Sequence, residues 1–246
     1  MADSDRSRRV RRGEPIFDVP KALRHLRKAD PVLAAVMRRS VRYNVVPDGT
    51  QSLFHALSES IVYQQLSGKA AATIFSRFVD LYSRERGLRP AGPLVSGAAP
   101  AGGRRNGAVG RRRFPRPEEV LATPHDVLRS AGLSNNKALA LKDLAAKTID
   151  GTVPLLRSVK RMSDAELIER LTTVRGIGVW TVEMLLMFRL GRPDVLPVGD
   201  LGVRKGYMLA YGLEEMPTPK ELLVLGEAWR PFRSVGSWYM WRACEL

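Results

Sequence analysis

The stretch that decides the fold is residues 171–204, LTTVRGIGVWTVEMLLMFRLGRPDVLPVGDLGVR. It carries apolar residues at helical spacing, with two interruptions: Gly176-Ile177-Gly178 and a Pro-Gly loop that ends on Asp200. This pattern predicts a helix that ends in a glycine hairpin, a second helix, and an irregular loop with a carboxylate at its end. The two interruptions are where backbone groups and charge become available to a ligand.

The glycine hairpin permits a tight turn with exposed backbone at the start of the next helix. Free amide groups there, together with the helix dipole, suit a phosphate oxygen. Leu167 and Leu171 before the turn, and Val182 and Leu185 after it, give both helices an apolar face. The pattern indicates a helix-hairpin-helix that grips the DNA backbone without reading its sequence. The alternative is an ordinary αα-hairpin.

Asp200 is the candidate carboxylate of the following loop. Pro197 and Gly199 enforce an irregular backbone before residues 201–204, so Asp200 lies at or near a helix N-terminus. It is therefore either a plain N-cap or an ionised carboxylate that faces a cleft, and the two roles are compatible. Asp194 competes for the functional role, but its place before an apolar Val-Leu pair is typical of a turn residue.

Aromatic residues cluster in the C-terminal half, and most aromatics in a domain of this size belong to the core. Trp180 follows the hairpin directly, and Trp238 and Trp241 are three residues apart, on one face of the last predicted helix. Flat aromatic walls suit a base rotated out of the DNA stack, above all a cationic one.

The charge balance points to a polyanionic partner. Forty Lys and Arg against twenty-five Asp and Glu give a net charge of +15, which favours nucleic acid over a membrane; a merely solvated basic surface is the alternative. The single cysteine, Cys244, cannot by itself build a disulfide, a zinc site or an iron–sulfur cluster. Since the sequence contains neither a membrane-spanning apolar run nor a signal-peptide core, we expect a cytoplasmic protein, associated with the bacterial nucleoid.

The chain reads as all-α, without a convincing strand. Residues 1–15 are polar and Arg-rich and are predicted to form a disordered basic arm. Residues 16–246 are predicted to form one helical domain or a pair. A disordered Gly/Pro/Arg-rich insertion at about residues 87–116 interrupts them, because it cannot bury enough apolar surface to offset its ordering entropy.

From about Val46 onward, the sequence resembles the helix-hairpin-helix DNA glycosylases with a Gly/Pro…Asp loop, and within them the 3-methyladenine DNA glycosylase II (AlkA-type) branch. Four segments carry the resemblance: SIVYQQLSGKAAATIFSRF (60–78), SAGLSNNKALALKDLA (130–145), the stretch 171–204, and WRPFRSVGSWYMWR (229–242). It implies the helix-hairpin-helix glycosylase fold, with two helical lobes and a cleft between them.

The resemblance also implies the chemistry. Asp200 matches the family's catalytic aspartate. Trp180 falls where relatives that cleave the strand place a lysine, so a monofunctional enzyme without AP lyase activity is expected. The base pocket would be formed by Trp180, Trp241, Trp238 and Met184, and Met184 occupies a position where some relatives have a tyrosine.

The DNA contacts are assigned in the same way. Gln65 or Leu66 would fill the gap left by the flipped nucleotide. The DNA backbone would be held by Gly176, Ile177, Gly178, Ser134 and Lys137. The carbonyl groups of Thr172, Val174 and Ile177 resemble those that hold Na⁺ or K⁺ at the hairpin; no other cofactor is required, and an iron–sulfur cluster is not expected.

The resemblance implies a base excision repair enzyme that hydrolyses the N-glycosidic bond of alkylated bases such as 3-methyladenine and 7-methylguanine. Its expected partner is double-stranded DNA with such bases, its expected state is a monomer, and no membrane is expected. Two alternatives stay open: the same fold acting on uracil, hypoxanthine or etheno lesions, and a non-catalytic helix-hairpin-helix protein that only binds DNA.

Overall fold

The structure, a computed structural model, describes residues 17–47, 50–83 and 113–246. These residues form helices and contain no β-strand, so the predicted all-α class is confirmed. The α-helices are α1 Val19–Ala29, α2 Pro31–Arg39, α3 Leu53–Tyr63, α4 Gly68–Asp80, α5 Pro117–Ala122, α6 His125–Ser130, α7 Asn135–Ile149, α8 Leu156–Val159, α9 Asp164–Leu171, α10 Val179–Met184, α11 Leu201–Tyr211, α12 Pro219–Leu225 and α13 Arg233–Ala243. A π-helix, Leu185–Arg189, continues α10, and a 3₁₀-helix, Gly226–Trp229, continues α12.

The described residues separate into two compact units. The first unit contains those up to Ala56 together with Pro154–Leu246, and the second contains Leu57–Val153. The hairpin and Asp200 belong to the first unit, and the segment around Gln65 belongs to the second. The predicted basic arm at 1–15 and most of the predicted insertion lie outside the described residues.

The core of the first unit is built around α11 and α13. Trp229 and Tyr239 are fully buried in it, together with Val203 from α11. A Cβ atom on Gly206 would lie 1.9 Å from the carbonyl oxygen of Met240. The backbones of α11 and α13 are therefore in direct contact, and the missing side chain at position 206 makes that contact possible.

Asp30 joins the N-terminal helices to this core. It caps α2 as its sequence predicts, accepting from the amide of Leu33 at 2.9 Å, with Pro31 at the first helical position. The same buried carboxylate accepts a hydrogen bond from Trp229 Nε1 at 2.7 Å and another from the hydroxyl of Tyr211. These donors satisfy a charge that burial would otherwise make costly.

The second unit packs α5 and α6 against α7, whose Leu141 and Leu144 are fully buried. The chain just before α5 belongs to this core. Phe114 stacks on Phe75 with ring centroids 6.0 Å apart, and Arg113 pairs with Glu119. The pKa of Glu119 is lowered to about 2, chiefly by this hydrogen bond. The predicted end of the insertion at about residue 116 is therefore a few residues too late, because apolar packing and an ion pair already fix the chain at Arg113.

Among the described helices, none is both long and apolar enough to cross a bilayer.

Candidate active site

The glycine hairpin has the geometry that its sequence predicts. Gly176 has φ 77°, a left-handed conformation that costs glycine little. Gly178 is the extended N-cap of α10, and no side chain caps this helix, so the amide groups of its first turn stay uncovered by a capping group. Ile177 is buried and its amide donates to the carbonyl of Val174 at 3.0 Å. The N–H of Ile177 therefore closes the turn, and the predicted contacts of Gly176, Ile177 and Gly178 with the DNA backbone stay predictions.

Asp200 receives three hydrogen bonds. Its Oδ1 accepts from the amide of Val203 at 2.8 Å and from Trp241 Nε1 at 2.9 Å, while Oδ2 accepts from Trp180 Nε1 at 2.6 Å. The predicted N-cap role is confirmed, since the Val203 contact caps α11. The structure also brings together three residues that are predicted to act together: Asp200, Trp180 and Trp241.

The two indoles lie beside the carboxylate edge-on. An indole N–H lies in the plane of its ring, so a ring that donates through Nε1 leaves its faces available for stacking. Trp180 is 52% exposed. Trp241 is half-buried and stacks on Phe188, with centroids 5.8 Å apart and planes at 30°. Trp180 is therefore the more accessible of the two rings, and Trp241 is the more firmly held.

Met184 and Phe188 extend this site along α10 and the π-helix. Met184 is half-buried, one helical turn after Trp180. Phe188 lies in the π-helix, four residues after Met184 and eight after Trp180, a spacing that is typical of one helix face. Phe188 was not singled out from the sequence as a neighbour of the pocket, although this four-residue spacing was a signal that could have identified it.

Trp238 does not belong to this site. It is 7% exposed, packs edge-on against Tyr43 at 5.3 Å and lies under the guanidinium of Arg242. Its predicted place in the base pocket is wrong, because α13 is buried on nearly all sides and the three-residue spacing from Trp241 does not define one exposed face.

Glu183 is a further carboxyl group that the sequence did not single out. It is 7% exposed, and no described residue donates a hydrogen bond to it. Burial and, to a smaller extent, the charge of Asp200 together raise the pKa of Glu183 to about 7. The sequence signal that could have identified Glu183 was its position three residues after Trp180, on the same face of α10.

Asp194, the competing carboxylate, has a structural role. Its oxygens accept from Arg230 at 2.6 Å and from Arg233 at 2.8 Å. This ion-pair cluster ties the loop before Asp200 to the start of α13, in agreement with the interpretation of Asp194 as a turn residue.

The segment predicted to enter DNA lies in the second unit, between α3 and α4. Gln65 and Leu66 are both exposed, and Gln65 has φ 56°. Ser134 caps α7, accepting from the amide of Lys137 at 3.3 Å. The ammonium of Lys137 donates to two carbonyl oxygens next to this segment, and its predicted contact with the DNA backbone stays a prediction.

The carbonyl groups predicted to hold a monovalent cation lie at Thr172, Val174 and Ile177. The carbonyl of Val174 already accepts the amide of Ile177, which leaves its second lone pair for a cation. Among the described residues, no group of three or more His, Cys, Asp or Glu side chains has the arrangement of a metal site. Neutral carbonyl oxygens suit a weakly bound monovalent ion, and the cation remains a prediction.

A family model described as "HhH-GPD superfamily base excision DNA repair protein" matches residues 59–231. DNA-3-methyladenine glycosylase 1 of Schizosaccharomyces pombe is 37% identical over 193 residues, which are 78% of this chain and 73% of that protein. A putative DNA-3-methyladenine glycosylase of Bacillus subtilis is 28% identical, over 79% of this chain and 60% of its own length.

Solved structures agree with these sequence matches. The S. pombe 3-methyladenine DNA glycosylase in complex with abasic DNA aligns with a TM-score of 0.68 at 33% identity, covering 92% of this chain and 97% of that one. A DNA-3-methyladenine glycosidase from Bacillus halodurans aligns with a TM-score of 0.70 at 29% identity, over 95% of this chain and 92% of that one.

Proposed function

Because the chain belongs to the HhH-GPD superfamily of base excision DNA repair proteins, we propose that it is a DNA glycosylase that hydrolyses the N-glycosidic bond of alkylated bases such as 3-methyladenine and 7-methylguanine. The observation that carries this proposal is the carboxylate of Asp200, held by the indoles of Trp180 and Trp241 just beyond a helix-hairpin-helix. Its partner is DNA, and the relevant form is a duplex that contains such a base.

The aromatic residues would receive the base. An N-alkylated purine carries positive charge, and an electron-rich indole face attracts a cation by about 0.5–2 kcal/mol. The exposed Trp180 offers such a face, while Met184 and Phe188 shape the neighbouring surface. Because the base is already a good leaving group, the site needs little general-acid assistance.

Asp200 would act on the sugar. As the base leaves, positive charge develops on the deoxyribose ring, and a preorganised carboxylate stabilises that charge electrostatically. The three donors fix the carboxylate in advance, so it does not need to reorient during the reaction. The raised pKa of Glu183 keeps that second carboxyl largely protonated below about pH 7, and the site then carries one full negative charge, on Asp200.

The enzyme is expected to be monofunctional. Strand cleavage through a Schiff base requires an amine nucleophile, and Trp180 occupies the position directly after the hairpin where the resemblance would place one. Uncovered amides at the start of α10 would hold phosphate, and carbonyl groups of Thr172, Val174 and Ile177 would hold Na⁺ or K⁺. We propose that the protein acts as a monomer.

The test is mass spectrometry of the bases released from methylated DNA by the parent protein and by Asp200→Asn. Asparagine is as good an N-cap as aspartate, and the one acceptor that it loses faces the exposed Trp180 Nε1, so the variant should still fold and bind DNA. Its rate of base release should fall by about 100- to 1000-fold, the range for loss of one preorganised electrostatic group. The parent's abasic product should stay unnicked until heat or alkali is applied. Release of alkylated bases by Asp200→Asn at the parent rate would disprove the assignment. A parent that releases no alkylated base but excises uracil or hypoxanthine from oligonucleotides containing those bases would redirect the specificity.

A further inference from the structure

The turn between α3 and α4 contains a backbone conformation that needs support. α3 ends at Tyr63, and Gln65 then adopts the left-handed region with φ 56°. That position of a helix C-terminus is usually glycine, because a side chain there is strained. Such strain persists where the surrounding structure holds it in place, and it occurs most often at functional segments.

The ammonium of Lys137 provides that support. Its Nζ donates to the carbonyl of Val62 at 2.7 Å and to the carbonyl of Gln64 at 2.8 Å. The first oxygen belongs to the last turn of α3, and the second belongs to the residue directly before Gln65. One side chain, 73 residues away from Gln64 in the sequence, therefore fixes both the end of α3 and the entry to the turn.

The electrostatics favour this placement. Lys137 lies in the first turn of α7, where a cation opposes the helix dipole. Its long side chain instead carries the charge to the C-terminal carbonyls of α3, where a cation is favourable. The ammonium is partly buried, and burial lowers the pKa of Lys137. It is thus a built internal contact rather than a free surface charge.

We propose that Lys137 is a positioning residue that holds the Gln65-Leu66 turn in the shape required to occupy the gap in DNA. This inference rests on the proposed glycosylase function. Lys137 itself need not touch DNA, since it acts through the backbone of the turn. Leu66 is 39% exposed and Gln65 is exposed, so the held turn presents both side chains to solvent.

The proposal predicts which substrates depend on Lys137. A lesion paired inside a duplex must be unstacked and its gap filled, whereas a lesion opposite an abasic site starts with its pairing already lost. Loss of Lys137 should therefore strongly slow base release from a duplex in which the lesion is paired. It should only weakly slow base release from a duplex in which the lesion lies opposite an abasic site. A merely structural defect would lower both rates by the same factor.

The test compares the parent, Lys137→Met and Lys142→Met under single-turnover conditions. Lys142 is a matched control: it lies on the same helix, carries the same charge, and its Nζ also donates to a backbone carbonyl, of Leu121 at 3.2 Å. The substrates contain one 7-methylguanine, either paired with cytosine or opposite an abasic site. The ratio of the two rates is internal to each variant, so it does not depend on the fraction of folded protein.

We expect Lys137→Met to lower the rate of base release from the cytosine-paired substrate, relative to the rate from the substrate with an opposing abasic site, by about 10- to 100-fold. This range is in line with the cost of a misplacement of about 1 Å. Lys142→Met should leave the ratio of the two rates at the parent value. Equal ratios in the two variants would overturn the proposal. A parent that releases no base from either substrate would contradict the proposed function instead. In that event, the fluorescence of a 2-aminopurine beside an abasic site in bound DNA tests the role of Lys137 without any base release. If Lys137→Met unstacks the 2-aminopurine as much as the parent does, the proposed role of Lys137 is overturned.

Discussion

Gly202 offers a sharp test of the site, because it separates the packing around Asp200 from the stability of the fold. It is the second residue of α11, and a Cβ atom built on it would lie 2.7 Å from Trp241 Cδ1 and 3.1 Å from Asp200 Oδ1. Carbon atoms in contact prefer about 3.5–4.0 Å. The Gly202→Ala variant must therefore displace the indole of Trp241 by roughly 0.8 Å or more, and that ring is held by Phe188 and by its own bond to Asp200.

The expected effects on stability and activity differ in size. Overpacking costs about 1–3 kcal/mol, while replacing glycine with alanine inside a helix recovers about 1 kcal/mol. The free energy of unfolding should therefore fall by only about 0–2 kcal/mol. A displacement of nearly 1 Å in the group that holds the catalytic carboxylate should lower the single-turnover rate of base release by up to about 100-fold.

Gly199→Ala is the matched control. Gly199 immediately precedes Asp200 in the chain, yet a Cβ atom there would meet nothing within 4 Å. The assay is release of 7-methylguanine from methylated DNA, accompanied by urea unfolding of each variant. The reasoning is refuted if folded Gly202→Ala works at the parent rate, or if Gly199→Ala loses as much activity as Gly202→Ala.

Two further predictions concern stability. Since the pKa of Glu183 is raised to about 7 by burial and by Asp200, the folded state binds an extra proton between about pH 4.5 and 7, and its stability falls as pH rises through that window. Glu183→Gln should therefore be more stable than the parent by about 1–3 kcal/mol at pH 8 and show little of that gain at pH 4.5; an equal difference at both values in urea unfolding would contradict this. Asp30→Asn should lower the free energy of unfolding by about 2–4 kcal/mol, because an amide cannot accept from Trp229 and Tyr211 as the carboxylate does; a thermal midpoint equal to the parent's would contradict it.

Local sequence signals predict much of the fold. Asp30, Ser134 and Asp200 each accept the amide three residues on, as capping residues should. Gly176 adopts the positive φ that the hairpin requires. These features depend on residues within one turn of each other, so sequence alone is sufficient to infer them.

Tertiary contacts account for what sequence missed. Trp238 and Trp241 have the same local pattern, and tertiary contacts separate them: Trp238 packs against Tyr43, whereas Trp241 donates to Asp200. No local pattern indicates that Lys137 reaches carbonyl groups more than 70 residues away. The four-residue spacing of Trp180, Met184 and Phe188 places Phe188 on their helix face, but its stacking on Trp241 is a tertiary contact that no local pattern indicates.

The backbone contact between α11 and α13 also limits how this enzyme can be engineered. Asp200 begins α11 and Trp241 belongs to α13, and Gly206 lets the two helices touch without any intervening side chain. Every amino acid other than glycine at position 206 would push the two helices apart, whatever base is to be excised. A library aimed at a new lesion range should therefore keep residue 206 constant, keep Phe188 because its ring holds Trp241, and vary Met184, which lies on α10 and belongs to neither helix of that pair.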